Sequence, residues 1–217
     1  MSEINKVLES IRKDYSSQTL LEEAVNPNPF LQFEAWMEDV VKSELYNLNP
    51  MTLSTISKNG FPSSRIVLLK SFDENGFVFY TNYQSKKGIE LTEHPKASLN
   101  FFWHELERQV RIEGEVEKTS DKDSDEYFAI RPRESQIGAW ASAQSAKLDS
   151  RNALDSRVEE LQKQFEGRII PRPPHWGGFI LKPVYFEFWQ GRPNRLHDRL
   201  TYTKQNSETW LIERLSP

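Results

Sequence analysis

The sequence predicts an α+β domain organised around an antiparallel β-barrel, with helices interposed between the strands. Two observations carry that reading. Asn59-Gly60 and Asn75-Gly76 each stand between β-prone runs, and both residue types accept the positive φ that tight hairpin turns require. Six or more β-prone runs, rich in β-branched and aromatic residues, are interleaved with helically spaced segments. No internal repeat and no low-complexity linker divides the chain, so residues 26–217 are expected to form one domain behind an N-terminal helix or arm at 1–25.

The elements follow in order. Ile4, Val7, Leu8 and Ile11 have helical spacing, but the stripe is narrow and its surroundings polar. Asn26-Pro27-Asn28-Pro29 stops that segment. A second helix should place Phe30, Phe33, Met37, Val40, Val41 and Leu45 on its apolar side and end near residues 47–50. Strands are expected at 51–57 and 63–69 around the first Asn-Gly, and at 66–71 and 77–81 around the second. Ser85 is a candidate N-cap for a short helix ending before His94-Pro95. Residues 97–103 and 109–118 read as another antiparallel pair. Residues 121–166 are helical, broken at Arg131-Pro132-Arg133 and at a polar, Ala/Ser-rich stretch. Strands return at about 177–189, 195–203 and 209–215.

Composition excludes several classes. The chain has 217 residues, with 28 basic against 32 acidic side chains and a net charge of −4. That balance argues against a general basic field for nucleic acid, so basic residues must be concentrated locally to matter. With no cysteine, disulfides, thiolate nucleophiles and cysteine metal sites are ruled out. The first residues lack the apolar core of a signal peptide, and no run reaches membrane-spanning length. A reducing cytoplasm is the simplest expectation.

The most informative stretch is Trp189-Gln190-Gly191-Arg192-Pro193-Asn194-Arg195-Leu196-His197-Asp198-Arg199. If a strand resumes at Arg195, alternation puts Arg195, His197 and Arg199 on one face. Two guanidiniums and an imidazole side by side fit an anionic ligand better than packing, although a solvated edge strand would carry the same charges. Arg65-Ile66-Val67-Leu68-Leu69-Lys70, taken alone, reads as a buried central strand with its charges snorkelling at the rims. Ser85-Lys86-Lys87-Gly88 offers a hydroxyl, two ammoniums and free amides at a helix start, a weak anion signal on its own.

Tyr127, Arg131 and Ser135 are spaced i, i+4, i+8. Pro132 breaks that helical face, yet a helix ending at Arg131 and another opening near Ser135 still allow the three to converge. Gln144-Ser145 lies in a small, polar stretch suited to close backbone approach, and Trp140 or Trp189 would wall a flat aromatic ligand if not simply core. His104-Glu105-Leu106-Glu107-Arg108 misses the zincin pattern by its final arginine, and no other histidine spacing suits a metal. No Gly-x-Ser-x-Gly elbow, Gly-x-Gly-x-x-Gly turn or P-loop occurs.

These blocks together resemble the pyridoxamine (pyridoxine) 5′-phosphate oxidases, flavoproteins of the FMN-binding split-barrel fold. The resemblance covers essentially the whole chain. It is most specific at residues 65–70, Phe79-Tyr80-Thr81-Asn82, Trp103-His104 with Leu106-Glu107-Arg108-Gln109-Val110, Arg131-Pro132-Arg133 with Ser135-Gln136-Ile137-Gly138-Ala139-Trp140, and Phe188-Trp189-Gln190-Gly191 with residues 195–199. It implies an antiparallel split β-barrel with peripheral helices and a homodimer holding FMN between subunits. Carried onto matching positions, FMN contacts would be Arg65, Ile66, Val67, Leu68, Leu69, Lys70, Tyr80, Thr81, Lys86, Lys87, Gln109, Gln144, Ser145, Trp189 and Arg199. The substrate phosphate would meet Lys70, Tyr127, Arg131 and Ser135, and Arg195 and His197 would be the catalytic pair beside the pyridine ring. A secondary ligand contact is implied at residues 12–15. Lys86 departs from the arginine common among relatives, keeping the charge but losing the planar fork.

The implied reaction oxidises pyridoxamine 5′-phosphate or pyridoxine 5′-phosphate to pyridoxal 5′-phosphate. A hydride equivalent passes to FMN and dioxygen is the final acceptor, giving hydrogen peroxide, and ammonia from the amine. The absence of metal, thiol and serine-triad machinery fits chemistry carried by an organic cofactor. Two alternatives stand beside it: a non-catalytic split-barrel protein that carries flavin or pyridoxal phosphate, and a split-barrel reductase with another flavin or substrate. Arg195 and His197 argue against the first, and the Tyr127, Arg131 and Ser135 set against the second.

Overall fold

In the computed structural model the described residues are 4–5, 15, 18–45, 47–206 and 209–217. The expected helix through Val7, Leu8 and Ile11 and the contact at Arg12, Lys13 and Asp14 fall outside them. Two compact units are present. One comprises Met1–Leu48, Phe101–Arg111 and Tyr185–Pro217, and the other Asn49–Asn100 and Ile112–Val184. Strands β5 (Lys96–Trp103), β6 (Arg108–Lys118) and β7 (Trp176–Gln190) contribute residues to both.

The unit of residues 49–100 and 112–184 holds β1 (Pro50–Ile56), β2 (Pro62–Leu68), β3 (Ser71–Asp73) and β4 (Gly76–Asn82). Its strand order is β2-β1-β5-β6-β7-β4-β3. β1 and β2 pair antiparallel from Pro50↔Leu68 to Ile56↔Pro62. Both predicted Asn-Gly glycines take positive φ, Gly60 at 79° and Gly76 at 145°, the requirement that marked those turns in the sequence. Leu53, Phe77, Phe79, Leu99, Ile112 and Leu181 are fully buried.

Three helical segments of this unit make a second apolar cluster. α3 (Asp121–Ala129), α4 (Arg133–Ala141) and α5 (Arg151–Gln164) bring together Phe128, Ile137 and Leu161, with Phe165, Ile170 and Trp176. The break between α3 and α4 falls at Pro132, as the sequence requires. α2 (Lys86–Glu93) begins at the predicted cap, where Ser85 Oγ accepts the Gly88 amide.

The other unit is held by α1 (Pro29–Lys42), whose cap Asn28 accepts the Phe30 amide at 2.9 Å and whose first residue is a proline suited to that position. Phe33 packs on Phe101 with ring centroids 5.1 Å apart, and Trp36 on Phe188 at 5.1 Å. β8 (Asp198–Lys204) pairs with β7 through Trp189↔Arg199, and β9 (Trp210–Arg214) pairs with β8. No helix among the described residues is long and apolar enough to cross a membrane.

Several expectations are corrected. β2 is an edge strand rather than a buried central one: Ile66 is 64% and Leu68 43% exposed. Its expected continuation to Ser71 is broken at Leu69-Lys70. The chain there leaves β1 and joins β4, marked by the Lys70 amide bonding Val78 O at 2.9 Å. On α1, Val41 is 56% exposed while Trp36 takes the buried place. The strand expected to resume at Arg195 resumes at Asp198. Asn194 (φ 57°) and Arg195 (φ 60°) are left-handed, and the Leu196 amide closes a turn onto Pro193 O. Alternation therefore does not place Arg195, His197 and Arg199 on one face.

Candidate functional site

In the unit of residues 49–100 and 112–184, the predicted ligand residues converge on a cavity of about 1020 Å³. Arg65, Ile66, Val67, Leu68 and Lys70 reach it from β2 and the crossing that follows. Tyr80 and Thr81 come from β4, Lys87 from α2, and Gln144 and Ser145 from the loop after α4. Tyr127, Arg131 and Ser135 line the same cavity from the two sides of the α3–α4 break. Among the described residues, four cations, Arg65, Lys70, Lys87 and Arg131, line it, and no carboxylate does. Of the contacts predicted within this unit, two are absent from the lining. Leu69 is turned into the core at 5% exposed, and the Lys86 ammonium is solvated, 3.8 Å from Glu90.

The cations are held in different ways. Arg65 donates to Thr55 Oγ1 at 2.6 Å, Leu53 O at 3.2 Å, Ser63 Oγ at 2.7 Å and Glu90 at 3.1 Å. Lys87 is buried and donates to Gln144 Oε1 at 3.0 Å, Thr81 Oγ1 at 3.3 Å and Ser85 Oγ at 3.4 Å. Burial, and then the Arg65 charge, pull the Lys87 pKa below its ordinary value against the opposing pull of Glu90. Gly88 lets the first turn of α2 lie against the Asn82-Tyr83 backbone, because a Cβ there would lie 2.3 Å from Tyr83 O. Burial likewise lowers the Arg131 pKa, and its Nη1 is buried with no hydrogen-bond partner among the described residues. A buried guanidinium N–H without an acceptor is costly unless an anionic ligand supplies one.

Aromatic rings complete the lining. Tyr80 and Tyr127 stack at 4.0 Å and Tyr80 and Trp176 at 5.4 Å, within 16° and 11° of parallel. Sequence reasoning missed Asn82, Ser142 and Trp176, which also line the cavity, and Glu90, which lies beneath Arg65. Asn82 stood inside the quoted Phe79-Tyr80-Thr81-Asn82 block, and that was its signal. Nothing local distinguished Trp176 from a core tryptophan.

The remaining predicted residues belong to the other unit. Trp189, on β7, lies 4.6 Å from the His197 ring, and Tyr15 meets both rings edge-on at 5.7 and 5.8 Å. His197 Nδ1 accepts the Arg192 amide at 3.1 Å. Burial, and then the Arg195 charge, hold the His197 pKa below its ordinary value. Arg195 is exposed on its turn. Arg199 is not free for an anion on all sides, since its Nε bonds Glu187 at 2.9 Å and its Nη1 bonds Ser216 O at 2.9 Å. Gln109 is half-buried on β6.

Residues 37–165 match the family described as pyridoxamine 5′-phosphate oxidase. The chain is 52% identical to the pyridoxine/pyridoxamine 5′-phosphate oxidase of Gloeothece citriformis, over 99% of this chain and 100% of that one. The chain belongs to the pyridoxamine 5′-phosphate oxidase family. It is 54% identical to the enzyme of the same name from Acaryochloris marina, over 97% of this chain and 95% of the relative. Residues 176–217 match the pyridoxine 5′-phosphate oxidase C-terminal dimerisation region.

Among solved structures, PhzG from Burkholderia lata, in complex with tetrahydrophenazine-1-carboxylic acid, superposes with a TM-score of 0.86 at 30% identity, covering 93% of this chain and all of that one. A pyridoxamine 5′-phosphate oxidase-related, FMN-binding protein from Nostoc punctiforme gives 0.69 at 18% identity, over 88% and 98% of the two chains, and shows the fold alone. The expected α+β class with an antiparallel split β-barrel is thereby borne out.

Proposed function

We propose that this member of the pyridoxamine 5′-phosphate oxidase family is an FMN-dependent oxidase. It converts pyridoxamine 5′-phosphate and pyridoxine 5′-phosphate to pyridoxal 5′-phosphate with dioxygen as acceptor. The observation that carries the reading is the cavity lined, among the described residues, by four cations and no carboxylate, in a chain at least 52% identical to relatives of that name. One phosphate would be met by Arg65 and Lys87 with Thr81, Gln144 and Ser145. A second would be met by Lys70, Tyr127, Arg131 and Ser135, and the partnerless Arg131 Nη1 fits that demand.

Bound FMN would supply the hydride acceptor and the route of electrons to dioxygen. This chain's own residues bind, orient and exclude. Glu90 and Thr55 fix Arg65 before a phosphate arrives, so little ordering is left to pay on binding. Arg195 and His197 would lie beside the pyridine ring and orient it; such positioning is worth several kcal/mol of a barrier. Neutral His197, with Nδ1 occupied by the Arg192 amide, holds its remaining proton on Nε2 and presents it as a donor. By the same resemblance Trp189, Arg199 and Gln109 would also contact FMN.

The active form would be a homodimer, in keeping with the dimerisation region at 176–217 and the exposed apolar edge of β2. Either Arg199 or Gln144 would then reach the flavin from the second subunit. Turnover of pyridoxine 5′-phosphate with stoichiometric peroxide tests the proposal. Flavin binding without turnover would leave the carrier reading, and turnover of other substrates only would leave the reductase reading.

A further inference from the structure

Arg131 is oriented differently from the other arginine of its cavity. Arg65 is fixed by hydrogen bonds from its two terminal nitrogens, Nη1 and Nη2, whereas Arg131 Nη1 has no such partner among the described residues. What Arg131 has instead is aromatic surface. Its guanidinium carbon lies 4.5 Å from the Trp176 ring centroid and 5.7 Å from that of Phe128. A guanidinium laid on an indole loses rotational freedom without surrendering an N–H, because stacking engages the π face and leaves the in-plane fork open.

The indole is itself held firmly. Trp176 is 7% exposed and opens β7, where it pairs with Asn82. Its carbonyl accepts Arg172 Nη1 at 2.7 Å. Arg172 in turn bonds Asp121 at 2.7 Å and Asp125 at 2.6 Å, both on α3, the helix that carries Tyr127. The Tyr127 ring lies 6.2 Å from the Trp176 ring and within 7° of parallel. One indole plane thus registers two side chains of the proposed substrate-phosphate pocket.

We propose that Trp176 is the positioning residue for substrate phosphate, fixing the Arg131 guanidinium by stacking so that its donors stay free for the phosphate oxygens. The proposal rests on the reading of Arg131 as a phosphate ligand. It assigns specificity for a phosphate monoester to a residue that makes no hydrogen bond to it.

The test is steady-state kinetics of the flavin-loaded enzyme with pyridoxine 5′-phosphate, on Trp176→Phe, Trp176→Leu, Arg131→Ala and the double variants. Trp176→Leu is expected to raise KM on the order of tenfold, with kcat changed by less than about twofold, and Trp176→Phe to recover most of the loss. In the Arg131→Ala background the Trp176→Leu change should add less than about twofold, since its target is gone. A general packing defect would instead add its full effect there, lower kcat, and overturn the proposal. Should Trp176→Leu misfold, the same cycle with Trp176→His decides. Arg131→Ala without effect on KM would remove the phosphate reading and this proposal together. An effect of Arg131→Ala with none of Trp176→Leu would remove only the role of Trp176.

Discussion

His197 Nδ1 accepts the backbone amide of Arg192 at 3.1 Å, so the neutral ring carries its proton on Nε2. Protonation would require that bond to break, and burial and the Arg195 charge already oppose it. With one nitrogen occupied and the other protonated, the ring would serve as a donor that orients rather than as a base. His197→Asn, which can offer an oxygen to the same amide, should keep much of the anaerobic rate of flavin reduction. Near-total loss of that rate with substrate still bound would instead establish the base role. Arg195→Ala should slow the same step while FMN stays bound and reoxidation by oxygen is unchanged.

Burial of His197, and then the Arg195 charge, set a pH dependence. The folded pKa of His197 is depressed, so between it and the ordinary imidazole value of about 6.5 the unfolded chain binds more protons than the folded one. The stability it contributes is fully present above that ordinary value and is lost as pH falls toward the depressed one. An imidazole NMR titration with a midpoint at or above that of a free histidine would contradict this.

Arg131→Ala should mainly weaken substrate binding. Loss of a charged, buried partner of a dianionic phosphate costs on the order of 2–4 kcal/mol. Pyridoxine, which lacks the phosphate, should be little affected, and equal losses for the two compounds would refute the assignment.

Glu90 is 5% exposed at its side chain and pairs with Arg65 at 3.1 Å. Removing one member of a buried pair leaves the other uncompensated, and because Arg65 keeps some solvent contact the cost of Glu90→Ala is expected near 2 kcal/mol. Urea denaturation of the apoprotein reads it directly. Added inorganic phosphate should stabilise the variant more than the parent, by supplying the missing negative charge. An equal or smaller gain would show that Glu90 is not the pocket's counter-charge.

Flavin should be held without a covalent bond, since the chain has no cysteine and the proposed contacts are ionic and polar. Acid precipitation should release it all to the supernatant. Flavin remaining in the pellet is the contrary result.

Sedimentation at micromolar concentration should show a dimer. A flavin-loaded monomer would end the proposal of a site shared between subunits.

Local rules were enough for much of this protein. The Asn-Gly turns, the Ser85 cap and the helix break at Pro132 were legible because each depends on a single residue's backbone preference, and Gly60, Gly76, Ser85 and Pro132 behave accordingly. The grouping of Tyr127, Arg131 and Ser135 was legible for the same reason, since the break that separates two helices also turns both toward one cavity. Motif resemblance reached the family.

Tertiary structure decided what depends on neighbours distant in sequence. β2 has the aliphatic content of a central strand, yet its position is an edge, because strand order is set by pairing and not by composition. The turn at Asn194-Arg195 overrides a period-2 pattern because two successive left-handed residues take the chain out of the sheet. Glu90 beneath Arg65 and Trp176 beneath Arg131 were illegible, since the charge and the ring come from segments 25 and 45 residues away from the groups they hold. The sequence determined which charged side chains were candidates for an anionic ligand; folding alone determined which of them, Arg65, Lys70, Lys87 and Arg131, line one cavity and what holds them there.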